Sequence, residues 1–200
     1  MPQPTRRYTP QEYLRAERDS AIRHEYYHGE VFAMAGGSPQ HSLIISNVNG
    51  ELRTRLKGSP CRAYESNLRV HVPRTTLYTY PDVSVICGEL QFDPLDTGHE
   101  TVLNPTLVVE VLSISTESWD RGGKFQNYRQ MESLREYVLV SSDKPLVETF
   151  LREADGTWIY AAASGRETRA ALKSLCIELP LSEVYDGIEF PAPPTDAPPM

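Results

Sequence analysis

The chain has 200 residues, 40% of them hydrophobic and 24% charged, with a formal net charge of −7. A chain of this length can bury a sizeable core as one domain; no apolar run approaches the ~20 residues of a membrane span, and the N-terminus lacks a signal-peptide core. The acidity argues against a protein that coats nucleic acid non-specifically, but leaves room for a local basic groove.

In chain order, Thr9-Pro10 combines a capping side chain with a proline at the first helical position and predicts a helix over 9–18. HEYYHGEVFAMA predicts a hairpin turning at His28-Gly29. Ser38-Pro39 repeats the cap-plus-proline start and opens a helix to about Leu56, with Ile44, Ile45, Val48, Leu52 and Leu56 on one side. Strands are expected over 61–72, 80–87 and 106–112, then a helix over 118–133. Another strand follows at Glu136–Ser141, and a hairpin spans 146–152 and 157–162 around Asp155-Gly156. The pattern is α/β (α+β), a central mixed sheet flanked by helices and preceded by an N-terminal helix and hairpin. One domain is expected over 1–190. Residues 191–200, with five prolines, are expected to form a disordered tail. Cys61, Cys87 and Cys176 are odd in number and form no CxxC pair, which points to reduced thiols in a cytoplasm.

Two of the strands carry a carboxylate for which an apolar strand has no structural use. Asp82 follows Pro81 at the start of VSVIC, and Glu110 interrupts the run LVVEVL. A lone buried carboxylate costs several kcal/mol unless a cation or donors compensate it. Two of them on neighbouring strands suit a shared divalent metal with oxygen ligands. The alternatives are a turn carboxylate at a strand start for Asp82, and half of a buried salt bridge or an edge-strand glutamate for Glu110. Strand alternation places Glu110 on the face of Val108 and Leu112. Lys124, in the segment that bends back from this strand, is either solvated or positioned to reach the strand end and stabilise developing charge. Asp120 and Arg121 read as a helix cap and its decoration. Glu25, on the first hairpin, and His41, at the start of the second helix, are weaker candidates. Arg53, Arg55, Lys57, Arg62 and Arg69 cluster in sequence and either contact phosphates or decorate a solvated surface.

Together YPDVSVIC, NPTLVVEVLSIST, DRGGKFQNYRQ, LREYVLVSSD and the opening HEYYHGEVFAM followed by His41 resemble the Uma-two (Uma2) family of restriction-endonuclease-like proteins, over roughly residues 8 to 187. That family is assigned to the PD-(D/E)xK nuclease superfamily. The resemblance implies a restriction-endonuclease-like core and Mg²⁺- or Mn²⁺-dependent hydrolysis of phosphodiester bonds in DNA. Asp82 matches the Pro-Asp aspartate and Glu110 the strand glutamate. The superfamily pattern places lysine two residues after that glutamate, where this chain has Leu112, and Lys124 in DRGGK resembles the relocated lysine. Glu25 and His41 match recurrent positions to which the family assigns no role. A catalytically inactive binding or scaffold protein is the alternative, and a homodimer is expected only from the general commonness of symmetric pairs.

Overall fold

The computed structural model describes residues 6–34 and 36–190; the proline-rich tail lies outside the described residues. Helix α1 (Pro10–Arg18) starts as its sequence dictates: the Thr9 side chain accepts from the Glu12 N–H and the Glu12 carboxylate accepts from the Thr9 N–H. Strands β1 (His24–Tyr27) and β2 (Glu30–Ala33) meet at His28-Gly29, whose φ angles of 49° and 90° are both positive, as a primed hairpin turn requires. Helix α2 (Pro39–Arg55) is capped by Ser38 and buries Ile44, Val48 and Leu52 along one stripe.

The remaining strands are β3 (Cys61–Glu65), β4 (Arg69–Val72), β5 (Leu77–Thr79), β6 (Val83–Cys87), β7 (Thr101–Val102), β8 (Leu107–Val111), β9 (Glu136–Val140), β10 (Leu146–Arg152), β11 (Trp158–Ser164), β12 (Arg169–Leu172) and β13 (Ile177–Pro180). They form a six-stranded sheet in the order β11-β10-β9-β8-β6-β3, a five-stranded sheet in the order β2-β1-β5-β4-β7, and the hairpin β12-β13. Both larger sheets are mixed, through the parallel pairs β8·β9 and β4·β7. The architecture is the mixed α+β arrangement expected, with two principal sheets in place of one.

Alternation along β8 divides the core. Leu107, Val109 and Val111 pack towards α2, while Val108 and Leu112 pack on the opposite side with Tyr128 and Tyr137. Glu110 falls in this second set by its period of two.

Four sequence expectations are corrected. Residues 61–72 form two strands in different sheets, because the chain turns at Glu65–Leu68. The helix expected over 118–133 is three short pieces, α3 (Glu117–Trp119), a π-helical turn over Asp120–Lys124, and α4 (Phe125–Tyr128). A side chain at Gly123 would fall 1.8 Å from the Trp119 ring, so the indole occupies the place a Cβ would take. The hairpin β12-β13 was not anticipated. Finally, Cys61 and Cys87, partners in the β3·β6 register, form a disulfide, and of the three cysteines Cys176 alone is free. Among the described residues no helix is long and apolar enough to cross a membrane.

Candidate active site

Antiparallel pairing of Val83 with Val109 places Asp82, one residue before β6, beside Glu110 on β8. Asp82 is fixed there by its backbone neighbour: its Oδ2 accepts the Val111 N–H at 2.7 Å. The first turn of α2 brings His41 over the same point, with Nε2 2.8 Å from the Val111 carbonyl and 3.7 Å from Asp82 Oδ2. The π-helical turn, a widened geometry frequent at functional sites, then returns the chain so that Lys124 projects onto Glu110.

Three carboxylate oxygens surround the Lys124 ammonium: Glu25 Oε1 at 3.2 Å, Glu110 Oε1 at 3.3 Å and Asp120 Oδ1 at 3.3 Å. Glu25 reaches the cluster from the five-stranded sheet, where it also accepts from the Thr79 hydroxyl. Tyr128 donates to Glu110 Oε1 at 2.9 Å. Glu110, Asp120 and Lys124 are 2%, 2% and 7% exposed, so these contacts act with little solvent screening.

Burial pushes Glu110 well above the usual carboxylate range; Lys124 opposes this, and Asp82, Asp120 and Glu25 reinforce it. Asp82 is raised too, since burial outweighs the Val111 N–H and the nearby His41 and Lys124. Burial alone would lower Lys124, yet Glu110, Glu25 and Asp120 together hold it well above an ordinary amine. The surrounding carboxylates thus favour the protonated, donating form of Lys124.

Asp82, Glu110, Lys124, Glu25 and His41 thus all line one cleft of about 630 Å³. Its rim carries the hydroxyls of Ser113, Ser115 and Thr116. Asp120, read from sequence as a helix cap, is instead a buried member of the cluster, and Tyr128 was not anticipated. The signal was present: 120, 124 and 128 recur at a spacing of four, which places them on one helical face. Arg121 does decorate the surface, pairing with Glu117 and Glu148.

The five basic candidates do not line this cleft. Arg69 is excluded as a phosphate contact: it is 2% exposed, and its guanidinium is bound to Asp96, Thr101 and Tyr80. Arg55 pairs with Glu51. Arg53, Lys57 and Arg62 line a separate groove at the far end of α2.

Two carboxylates and a peptide carbonyl are hard oxygen donors that fit Mg²⁺ or Mn²⁺, ions that hold few protein ligands and keep several waters. Among the described residues no three His, Cys, Asp or Glu side chains are placed to hold a metal by themselves. The protein would supply part of a coordination shell.

Comparison with known proteins places this geometry in context. A family profile described as "Uma2: Putative restriction endonuclease" matches residues 10–182. An uncharacterized protein, slr1290, of Synechocystis sp. (strain ATCC 27184 / PCC 6803 / Kazusa) is 37% identical over 183 residues, covering 91% of this chain and 93% of its own. A second from the same strain, sll1609, is 31% identical over 157 residues, 78% of this chain and 88% of its own. In fold, the chain is similar to a crystal structure described as "a putative nuclease belonging to DUF820" from Anabaena variabilis ATCC 29413, with a TM-score of 0.69 and 16% identity over 88% of this chain and 97% of that one.

Proposed function

The chain belongs to the Uma2 family, and from that premise we propose that it is a Mg²⁺- or Mn²⁺-dependent endodeoxyribonuclease that hydrolyses phosphodiester bonds at the cleft of Asp82, Glu110 and Lys124. The observation that carries this reading is that Asp82 and Glu110, brought side by side by the β6·β8 pairing, line one cleft with a buried ammonium that lies 3.3 Å from Glu110. Asp82 and Glu110, with the Val111 carbonyl, would hold the cation. When bound, such an ion polarises a phosphodiester oxygen and lowers the pKa of an attacking water.

The chain's own residues supply the rest. Lys124, whose protonated form its carboxylate neighbours favour, donates to the phosphate or to the water as one of those contacts yields, and stabilises negative charge as it develops. Glu25 and Asp120 anchor the amine, so little ordering remains to be done when substrate arrives. Tyr128 orients Glu110 through its hydroxyl, and His41 steadies the Val111 carbonyl.

A second reading, a nuclease fold retained for binding without turnover, draws on one specific observation. Lys124 already has three carboxylate partners and the Val111 carbonyl already has His41, so the site is satisfied by its own residues. Supercoiled plasmid incubated with the purified protein distinguishes the two. Nicking or linearisation with Mn²⁺ that stops on chelation supports the enzyme, and intact plasmid under both conditions supports the scaffold.

A further inference from the structure

We propose that the DNA backbone leaves the Asp82–Glu110 site along the groove between α2 and strand β3 and is held at its far end by Arg53, Lys57 and Arg62. This deepens the nuclease reading and rests on it for the position of the scissile phosphate.

Three depressions adjoin through shared lining residues. The site cleft shares His41, Tyr80 and Asp82 with a neighbouring cleft of about 1000 Å³, and this shares Tyr64 with the far groove of about 880 Å³. Helix α2 contributes His41, Ser42 and Ile45 to the nearer cleft and Gly50 and Arg53 to the farther groove, and Lys57 joins the groove from the turn just after the helix. The other wall is β3, the edge strand of its sheet: Cys61 and Ala63 face α2, and Arg62 and Tyr64 belong to the strand's other face at the sheet edge.

The charges along this path are uneven. The nearer cleft carries the carboxylates of Glu17, Glu65, Asp82 and Glu100 against Arg18 and Arg23, the third arginine, Arg69, being already bound to Asp96. The far groove is lined by Arg53, Lys57 and Arg62 and, among the described residues, by no carboxylate. All three are exposed and, among the described residues, pair with no carboxylate; Arg62 Nη1 donates to the Ser59 and Cys61 carbonyls. In a chain of net charge −7 such a concave, unopposed basic patch complements a polyanion. Its continuity with the carboxylate site selects a nucleic acid backbone over an acidic peptide, since one ligand then satisfies both ends. The twelve residues from His41 to Arg53 span about 18 Å of helix. That corresponds to about five base steps at 3.4 Å. A duplex must therefore extend about five base pairs to one side of the cut to reach these cations.

The test is fluorescence anisotropy with fluorescein-labelled, hairpin-closed duplexes of 6, 12 and 18 base pairs in Ca²⁺, over a range of salt. Binding should strengthen from 6 to 12 base pairs and then level off. The variant R53Q/K57Q/R62Q, altered only at exposed positions and checked for an unchanged melting temperature, should lose that gain. Its slope of log affinity against log salt on the 12-mer should fall by about three. R55Q should leave the slope unchanged, because that guanidinium is already paired with Glu51. A parent indifferent to length, or a triple variant with the parental slope, overturns the groove. Cleavage of plasmid by a protein with no length dependence would sink the groove and keep the nuclease. Length- and charge-dependent binding without cleavage would keep the groove and sink the nuclease.

Discussion

The Lys124 ammonium lies 3.3 Å from Glu110 Oε1, the same oxygen that accepts the Tyr128 hydroxyl. An internal cation thus neutralises, in part, the carboxylate proposed to hold an external one. Lys124→Met should abolish cleavage while Mn²⁺ affinity stays equal or rises, because a competing positive charge is gone. Titration calorimetry with Mn²⁺ beside the plasmid assay checks this. Loss of Mn²⁺ binding in a folded Lys124→Met protein would remove Lys124 from the role assigned to it.

Glu110 and Asp82 also make a stability prediction for the metal-free protein. Both carboxyls titrate higher when folded than when unfolded, so the folded state favours their protonated forms. The stability they contribute is complete below the unfolded carboxylate range, near 4.3 for glutamate, and declines as pH rises through the folded values. In chelator, the parent should lose stability between pH 5 and 8 more steeply than Glu110→Gln. The variant should be the more stable at pH 7 by roughly 1–3 kcal/mol, and Mn²⁺ should raise the parent's melting temperature alone. Parallel pH profiles would assign Glu110 to a structural salt bridge.

Arg69 illustrates how sequence proximity misleads. Its guanidinium is locked between Asp96 Oδ2 at 2.8 Å, Thr101 and Tyr80, with both charged partners buried. Asp96→Ala leaves that buried cation only Glu100, 3.8 Å away and 59% exposed, as a carboxylate partner and should destabilise the fold by about 3–5 kcal/mol, read by urea denaturation. DNA affinity of the folded fraction should not change. A neutral substitution would show that the pair is dispensable.

The Cys61–Cys87 bridge joins the sheet's edge strand β3 to β6 across a sequence separation of 26. Closing a loop of that size is worth about 3 kcal/mol in restricted unfolded chain. The double serine variant should unfold at correspondingly lower denaturant, and the parent should match it after reduction. Thiol titration of the denatured, unreduced protein should find one free cysteine, Cys176.

Much of this organisation is readable from the residues. The Thr9 and Ser38 caps, the hairpin turn at His28-Gly29 and the carboxylates of Asp82 and Glu110 all act locally or through a short period. The segment after Glu110 is harder to read, because Gly122 and Gly123 allow a π-helical turn packed on Trp119 that a regular 3.6-residue repeat does not anticipate. The fates of Arg69 and Cys61 depend on partners 27 and 26 positions away, Asp96 and Cys87, which only the sheet pairing brings together. Composition alone could not separate a buried cation from a phosphate-binding one.

If Asp82 and Glu110 jointly hold one divalent cation, calorimetric titration of Mn²⁺ into the parent, Asp82→Ala and Glu110→Ala shows it most directly. One site is expected in the parent and none in either variant, with both variants still folded by circular dichroism. A site of unchanged affinity in both variants, or no binding by the parent at millimolar Mn²⁺, would contradict it.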